Sequence, residues 1–244
     1  MQKRPHHALS PLVWLEPDAP RPRELSREQI VLAAIAVADA GGADALTMAA
    51  VARRLGPYSP MALYRYVFSK DGLIDLMLDR VIAEVELPPG PSRAWRSDIR
   101  GIASGTWEMV MRHGWYAQLV YSRPPLGPNT MRRTEAVLQI LTRRGASPAD
   151  AMAYAALIDR HIFGSALQHV EERAMERRYG LTDSSQVANA ITAVRDLATA
   201  SGDYPTLSTW MADPHVATPT EQFDLSLGFL LAGIAARLRR RERI

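Results

Sequence analysis

The sequence contains no cysteine, which excludes disulfide scaffolds, cysteine-ligated zinc or iron–sulfur centres and thiol nucleophiles together. A reducing compartment suits such a chain. It also lacks a long apolar run near its start. The stretch after Lys3 and Arg4 is cut by Pro11 and Pro17, too short for a secretory core or a membrane span, so the expectation is a cytoplasmic protein with no membrane partner. There is no His-Glu-x-x-His pattern and no glycine-rich phosphate loop, and His161 and His169 stand too far apart on one helix to chelate an ion together. No nucleophile, base and orienting acid can be assembled, so no catalytic residue, metal or cofactor is assigned and the protein is not expected to be an enzyme. Strand-like alternation is scarce, which predicts an all-α fold.

What is present is a chain of 244 residues, 47% of them hydrophobic, enough to bury a full core as a small domain joined to a larger one. The net charge of +3 is too mild to point to nucleic acid by itself; where the charge sits matters more. Residues 1–24 carry Pro5, Pro11, Pro17, Pro20 and Pro22, a composition that resists helix and sheet and predicts a flexible arm. From Ser26 the pattern turns helical, with Gln29 at the capping-box position and Ile30, Ala34, Val37 and Ala38 in register until Gly41-Gly42. A second helix capped by Thr47 runs to Gly56. The turn Pro57-Tyr58-Ser59-Pro60 then restarts a third, with Ser59 as cap and Pro60 at its first position. Ser69 caps a fourth helix from Lys70 towards Glu86, and Pro88-Pro89-Gly90-Pro91 stops it. Further helices are expected at roughly 92–113, 128–144, 148–176, 183–200 and 219–241, with loops between them.

Between Leu46 and Lys70 there is no acidic residue, while Arg53, Arg54, Arg65 and Lys70 are all positive. Two short helices joined by a tight turn can place the second in a major groove while the first crosses the backbone. Val51, Leu55, Leu63 and Val67 read as the core of this three-helix unit. Met61 and the rings of Tyr64 and Tyr66 can touch thymine methyls, and the hydroxyls of Ser59, Tyr64 and Tyr66 can bond phosphate. Lys70 adds charge at a helix N-terminus that already attracts phosphate.

The run from Leu46 through Gly56, the segment Ala62-Leu63-Tyr64-Arg65-Tyr66-Val67 and the segment Ser69-Lys70-Asp71-Gly72-Leu73 together resemble the DNA-binding domain of tetracycline-repressor-type regulators over about residues 26–86. The resemblance implies that Thr47, Met48 and Ala49 begin the positioning helix, that Ser59, Pro60 and Met61 face bases, and that Tyr64, Tyr66 and Lys70 meet phosphates. Two features depart from the pattern: the 57–60 turn is one residue longer than usual, and Tyr66 stands where histidine is common. Trp95, Gly127-Pro128-Asn129, Arg144-Gly145-Ala146-Ser147-Pro148, Phe163-Gly164 and the segment Phe229 to Leu238 are similar to the ligand and dimer domain of the tetracycline-repressor class. That likeness implies a small-molecule site lined by Glu86, Ile102, Thr106 and Val110.

The expected organisation is an arm (1–24), a helix-turn-helix domain (25–86) whose fourth helix connects it, and a ligand-binding and dimerisation domain (87–244). The last helix is apolar on too much of its surface for an outer helix. Small residues Gly228, Ala232, Gly233 and Ala235, with Ala153, Ala156, Gly164 and Ser165 in the 148–176 helix, favour close pairing of these two helices across a two-fold axis. The partners are then double-stranded DNA bearing a near-palindromic operator, an unidentified small molecule and a second copy of the chain. Two other classes remain open from the residues alone: a ligand-binding protein without sequence-selective DNA binding, and an all-helical enzyme using the same cavity.

Overall fold

The computed structural model describes residues 25–123, 126–179, 184–212 and 217–241, with side chains left aside at 179, 184–191 and 240–241. The expected arm lies outside the described residues. Eleven helices and no strand are found among the described residues, as an all-α reading requires: α1 (Arg27–Ala45), α2 (Met48–Leu55), α3 (Pro60–Val67), α4 (Lys70–Ile82), α5 (Trp95–Arg112), α6 (Trp115–Val120), α7 (Pro128–Thr142), α8 (Pro148–Tyr179), α9 (Ser184–Ser201), α10 (Pro205–Ala212) and α11 (Pro219–Arg241). The described parts of Met1–Leu167 and Leu227–Ile244 form one compact unit, and those of Gln168–Ser226 form another.

Local chemistry sets the N-terminal helices where the sequence places them. Ser26 and Gln29 form a reciprocal capping box, with Ser26 N donating to Gln29 Oε1 at 2.9 Å and Gln29 N to Ser26 Oγ at 3.1 Å. The regular part of α1 breaks at Gly42, whose φ of 76° is a conformation side chains other than glycine resist; one further turn reaches Ala45. Thr47, Ser59 and Ser69 cap α2, α3 and α4 through side-chain oxygens that accept from Ala50, Ala62 and Gly72 N–H groups.

Three expectations need correction. The fourth helix ends at Ile82, with residues 83–85 forming a turn and not the last helical turn to Glu86; Pro88 biases its neighbour Leu87 against helical backbone and closes the segment. Trp115 and Tyr116, expected in a loop, belong to the short helix α6, held because Trp115, Tyr116, Ala117 and Val120 all point inward. The 201–218 stretch, expected as loop, contains α10, which buries none of its residues.

The core of the first unit runs through Ile30, Ala34, Leu46, Val51, Leu63, Leu73, Met77, Leu78, Ile99, Met109 and Leu141, each at most 1% exposed. Helix α4 is buried on most of its surface and packs on α1, α3, α5, α6 and α7. It therefore joins the N-terminal helices to the remainder of the unit by side-chain packing, not by a linker.

Candidate nucleic-acid interface and effector cleft

Helix α3 divides cleanly into two faces. Leu63 and Val67, one helical turn apart, are completely buried, while Pro60, Met61, Tyr64 and Arg65 are exposed and Tyr66 is half-buried. Met61 is 75% exposed, an unbranched apolar side chain projecting from the first turn and left largely uncovered by the described residues. Lys70, Arg53 and Arg54 are exposed too, and none of these cations nor Arg65 makes an ion pair among the described residues. Among the described residues, the cationic surface anticipated between Leu46 and Lys70 is thus uncompensated.

Thr47, Ala49, Ser59, Pro60, Met61, Tyr64, Tyr66 and Lys70 are at or near the surface, but Met48 is not. Its side chain is 7% exposed and belongs to the core, because the first residue of α2 starts the inward stripe continued by Val51 and Ala52. Any contact from position 48 to DNA is limited to backbone. The Thr47 and Ser59 oxygens already serve as caps, so their hydroxyl protons are what remain for an outside acceptor.

The angle of α3 is fixed at its C-terminal end. Arg27 Nε, on α1, donates to the Tyr66 carbonyl at 3.1 Å. Phe68 closes α3 with a φ of 60°, uncommon for a residue with a side chain. Beyond it, a Cβ at Gly72 would collide with the Val67 carbonyl, so the start of α4 approaches the end of α3 as only glycine permits.

Three acidic residues tie this N-terminal part to α5–α7. Asp39 on α1 accepts from Trp115 Nε1 at 2.6 Å and sits 2.7 Å from His113 Nδ1. Asp75 on α4 receives a bidentate contact from Arg123, with both distances 2.7 Å. Asp79, 1% exposed, accepts from the Asn129 and Thr130 backbone N–H groups at 3.1 and 2.8 Å and from both of their side chains. Helix α7 has no side-chain cap of its own at Gly127; Asp79 supplies it from another helix.

The residues proposed around a ligand do not come together. Glu86 is exposed on the rim of a cleft of about 510 Å³, whose walls are Glu86, Leu87 and Pro88 after α4 and Arg132, Glu135 and Gln139 on α7. Ile102, Thr106 and Val110 are instead at most 2% exposed in the packed interior and do not line that cleft. Thr106 is committed to a buried network: its Oγ1 donates to the Ile102 carbonyl at 2.6 Å and accepts from Arg133 Nε at 3.0 Å, while Arg133 Nη2 donates to Asp159 at 2.8 Å. Nearby Tyr116 packs its ring 5.5 Å from that of Phe163, and burial raises its phenol pKa well above the ordinary value. Sequence reading missed Asp79 and Arg133. Each carries a charge one turn before apolar residues, Ile82 and Ala83 after Asp79 and Ala136 and Val137 after Arg133, and that misfit was the available signal.

Residues 87–238 match the family model described as "Tetracyclin repressor-like, C-terminal domain". The chain is 33% identical over 224 residues to the HTH-type transcriptional repressor DrrR1 of Streptomyces coeruleorubidus, covering 91% of this chain and 82% of that one. Its fold is similar to that of apo ActR from Streptomyces coelicolor, with a TM-score of 0.76, 25% identity and coverage of 91% of this chain and 100% of the other. The complex of ActR with actinorhodin, at a TM-score of 0.74 and 26% identity, covers 88% and 99%. No helix among the described residues is long and apolar enough to cross a membrane. The relatives agree with what the helix-turn-helix geometry points to, and the chain belongs to the tetracycline-repressor family of ligand-responsive, DNA-binding transcriptional regulators.

Proposed function

We propose that the protein acts as a homodimer whose two α3 helices enter successive major grooves, about 34 Å apart, of a near-palindromic operator, and that a small molecule in the Glu86 cleft releases it. The observation that carries this reading is the outward face of α3: Met61, Tyr64 and Arg65 exposed beside Arg53, Arg54 and Lys70, with no acidic group between Leu46 and Lys70. Met61 is positioned to meet a base edge. Tyr64, Tyr66 and Lys70 are positioned for phosphates.

The dimer reading rests on α8 and α11. On α11 Phe229 is 70% exposed, next to exposed Ala232, Gly233 and Ala236; on α8 Met152 and Leu157 are exposed beside Ala153. Apolar surface interleaved with small residues is what close helix pairing across a two-fold axis uses.

The ligand reading rests on a cleft within the size range of small-molecule sites, built by the segment after α4 on one side and α7 on the other. A ligand entering it presses on the segment that continues from α4, and α4 packs against α3. ActR with bound actinorhodin supports a small-molecule response in this fold. Glu86 and Glu135 favour a ligand bearing hydrogen-bond donors. A coupling of about 1–3 kcal/mol suffices for a roughly 5- to 150-fold loss of operator affinity. The test is a screen for compounds that release the operator and return chemically unchanged, repeated on Glu86→Gln. Release that is weakened in the variant supports the cleft; equal release moves the ligand elsewhere, and chemical turnover favours an enzyme.

A further inference from the structure

A small recess, of about 130 Å³, lies within the first compact unit where the first turn of α5, the turn between α7 and α8 and the end of α11 meet. Buried Trp95, Ala235 and Leu238 give it an apolar floor, and three exposed arginines from three elements, Arg96, Arg144 and Arg239, stand around it. No carboxylate lines it. Among the described residues none of the three guanidinium groups makes a hydrogen bond or an ion pair. Asp98, the acid nearest to Arg96 in sequence, is not in the lining, and its two oxygens accept from Ser92 N and Oγ at 2.8 and 3.0 Å. Three like charges around one recess repel one another and focus a positive potential into it, which draws in an anion.

Arg144 and Arg239 stand near the C-terminal ends of α7 and α11, where a cation also offsets the helix dipole. Arg96 has no such reason. It occupies the first turn of α5, the positive end of an 18-residue helix without a side-chain cap, and is held there by Trp95, its guanidinium carbon 5.2 Å from the ring centroid. The backbone at Arg144 is fixed as well: its N–H donates to the Leu141 carbonyl at 3.0 Å, and Gly145 after it adopts a left-handed φ of 87°. We propose that this recess binds a dianionic phosphate, free or as the head of a small phosphate monoester. Such a group offers three acceptor oxygens and close to two negative charges, a better match for three guanidinium forks than a lone carboxylate. The volume is below that of pockets that enclose a whole ligand and suits a headgroup, with the body of an ester left outside. The site is separate from the operator face: Trp95 opens α5, His113 after its other end meets Asp39 of α1, and about 27 Å of helix lies between.

Inorganic phosphate, phenyl phosphate and, as a monoanion, benzoate are the probes, each titrated calorimetrically into the free full-length protein at about pH 8, where the phosphates are dianionic, and at an ionic strength of about 0.1 M held with chloride. One phosphate site per chain is expected, with benzoate about tenfold or more weaker, and Arg144→Gln and Arg239→Gln are each expected to weaken phosphate by a similar factor. Arg53→Gln combined with Arg54→Gln, which removes charge from the operator face, is expected to leave phosphate affinity unchanged, and Arg144→Gln to leave operator affinity unchanged. Inorganic phosphate binding at least as tightly as phenyl phosphate assigns the site to the free ion; tighter phenyl phosphate assigns it to a monoester. No saturable phosphate binding, or benzoate binding as tightly, overturns the site without requiring any variant to fold. Undiminished affinity in the folded Arg144→Gln and Arg239→Gln proteins does the same, as does loss of phosphate binding in the operator-face variant. A fall in operator affinity in Arg144→Gln overturns it in favour of a nucleic-acid contact.

Discussion

The carboxylate of Asp79 on α4 holds Asn129 at the start of α7 through two bonds to one oxygen, from the backbone N–H at 3.1 Å and from Nδ2 at 2.9 Å, while its other oxygen holds Thr130. The helix that packs against α3 thus also caps a helix that walls the Glu86 cleft. Movement of either must load the other through this buried carboxylate.

Asp79→Ala leaves the α7 N–H groups and the Asn129 amide without their acceptor. Loss of a buried, charge-assisted cap is expected to cost about 2–4 kcal/mol, read as a lower urea midpoint at unchanged m-value. A midpoint within experimental error of wild type would remove Asp79 from the stability of the joint.

Gly127→Ala probes the same contact from the other side. A Cβ there collides with the Asp79 carboxyl group, so the substitution should destabilise by about 1–3 kcal/mol. Gly90→Ala, whose Cβ meets open space, is the control expected to stay near wild type.

Arg133 is 4% exposed and spans Thr106 and Asp159. Arg133→Ala strands Asp159 and opens space, with an expected loss of about 3–5 kcal/mol. Arg133→Met combined with Asp159→Asn removes both charges at similar volume and should recover much of that loss. A double variant no more stable than the single one would show that the network does more than neutralise itself.

At the DNA face, Lys70→Ala should weaken binding to all duplexes alike and lower the slope of log affinity against log salt by about one unit. Met61→Ala should instead relax preference at one base pair of each half-site, visible when the operator is scanned by single substitutions. An unchanged salt slope takes Lys70 off the phosphates, and an unchanged preference takes Met61 off the bases.

The N-terminal helices were legible because their signals are local: Ser26, Thr47, Ser59 and Ser69 all cap the helices expected of them. Patterns of charge were legible for the same reason, since an acid-free stretch needs no tertiary knowledge. Met48 begins α2 as expected, but that its side chain turns inward was not legible, because α2 is only eight residues long and its buried stripe is too short to show which face its first residue takes. The ligand-lining set mixed exposed Glu86 with buried Ile102, Thr106 and Val110 because apolar spacing on α5 reads the same for a packed core and a cavity wall. Asp79 and Arg133 depend on partners 50 and 26–27 residues away in sequence, distances at which sequence periodicity carries no signal.

The most direct measurement is enrichment of a random duplex-DNA library on the purified protein at about 150 mM salt, where non-specific binding is weak, followed by sequencing of what is retained. The account predicts one motif with two-fold symmetry, its half-sites centred about one helical turn apart. Retention of no motif, with and without candidate small molecules, would contradict it.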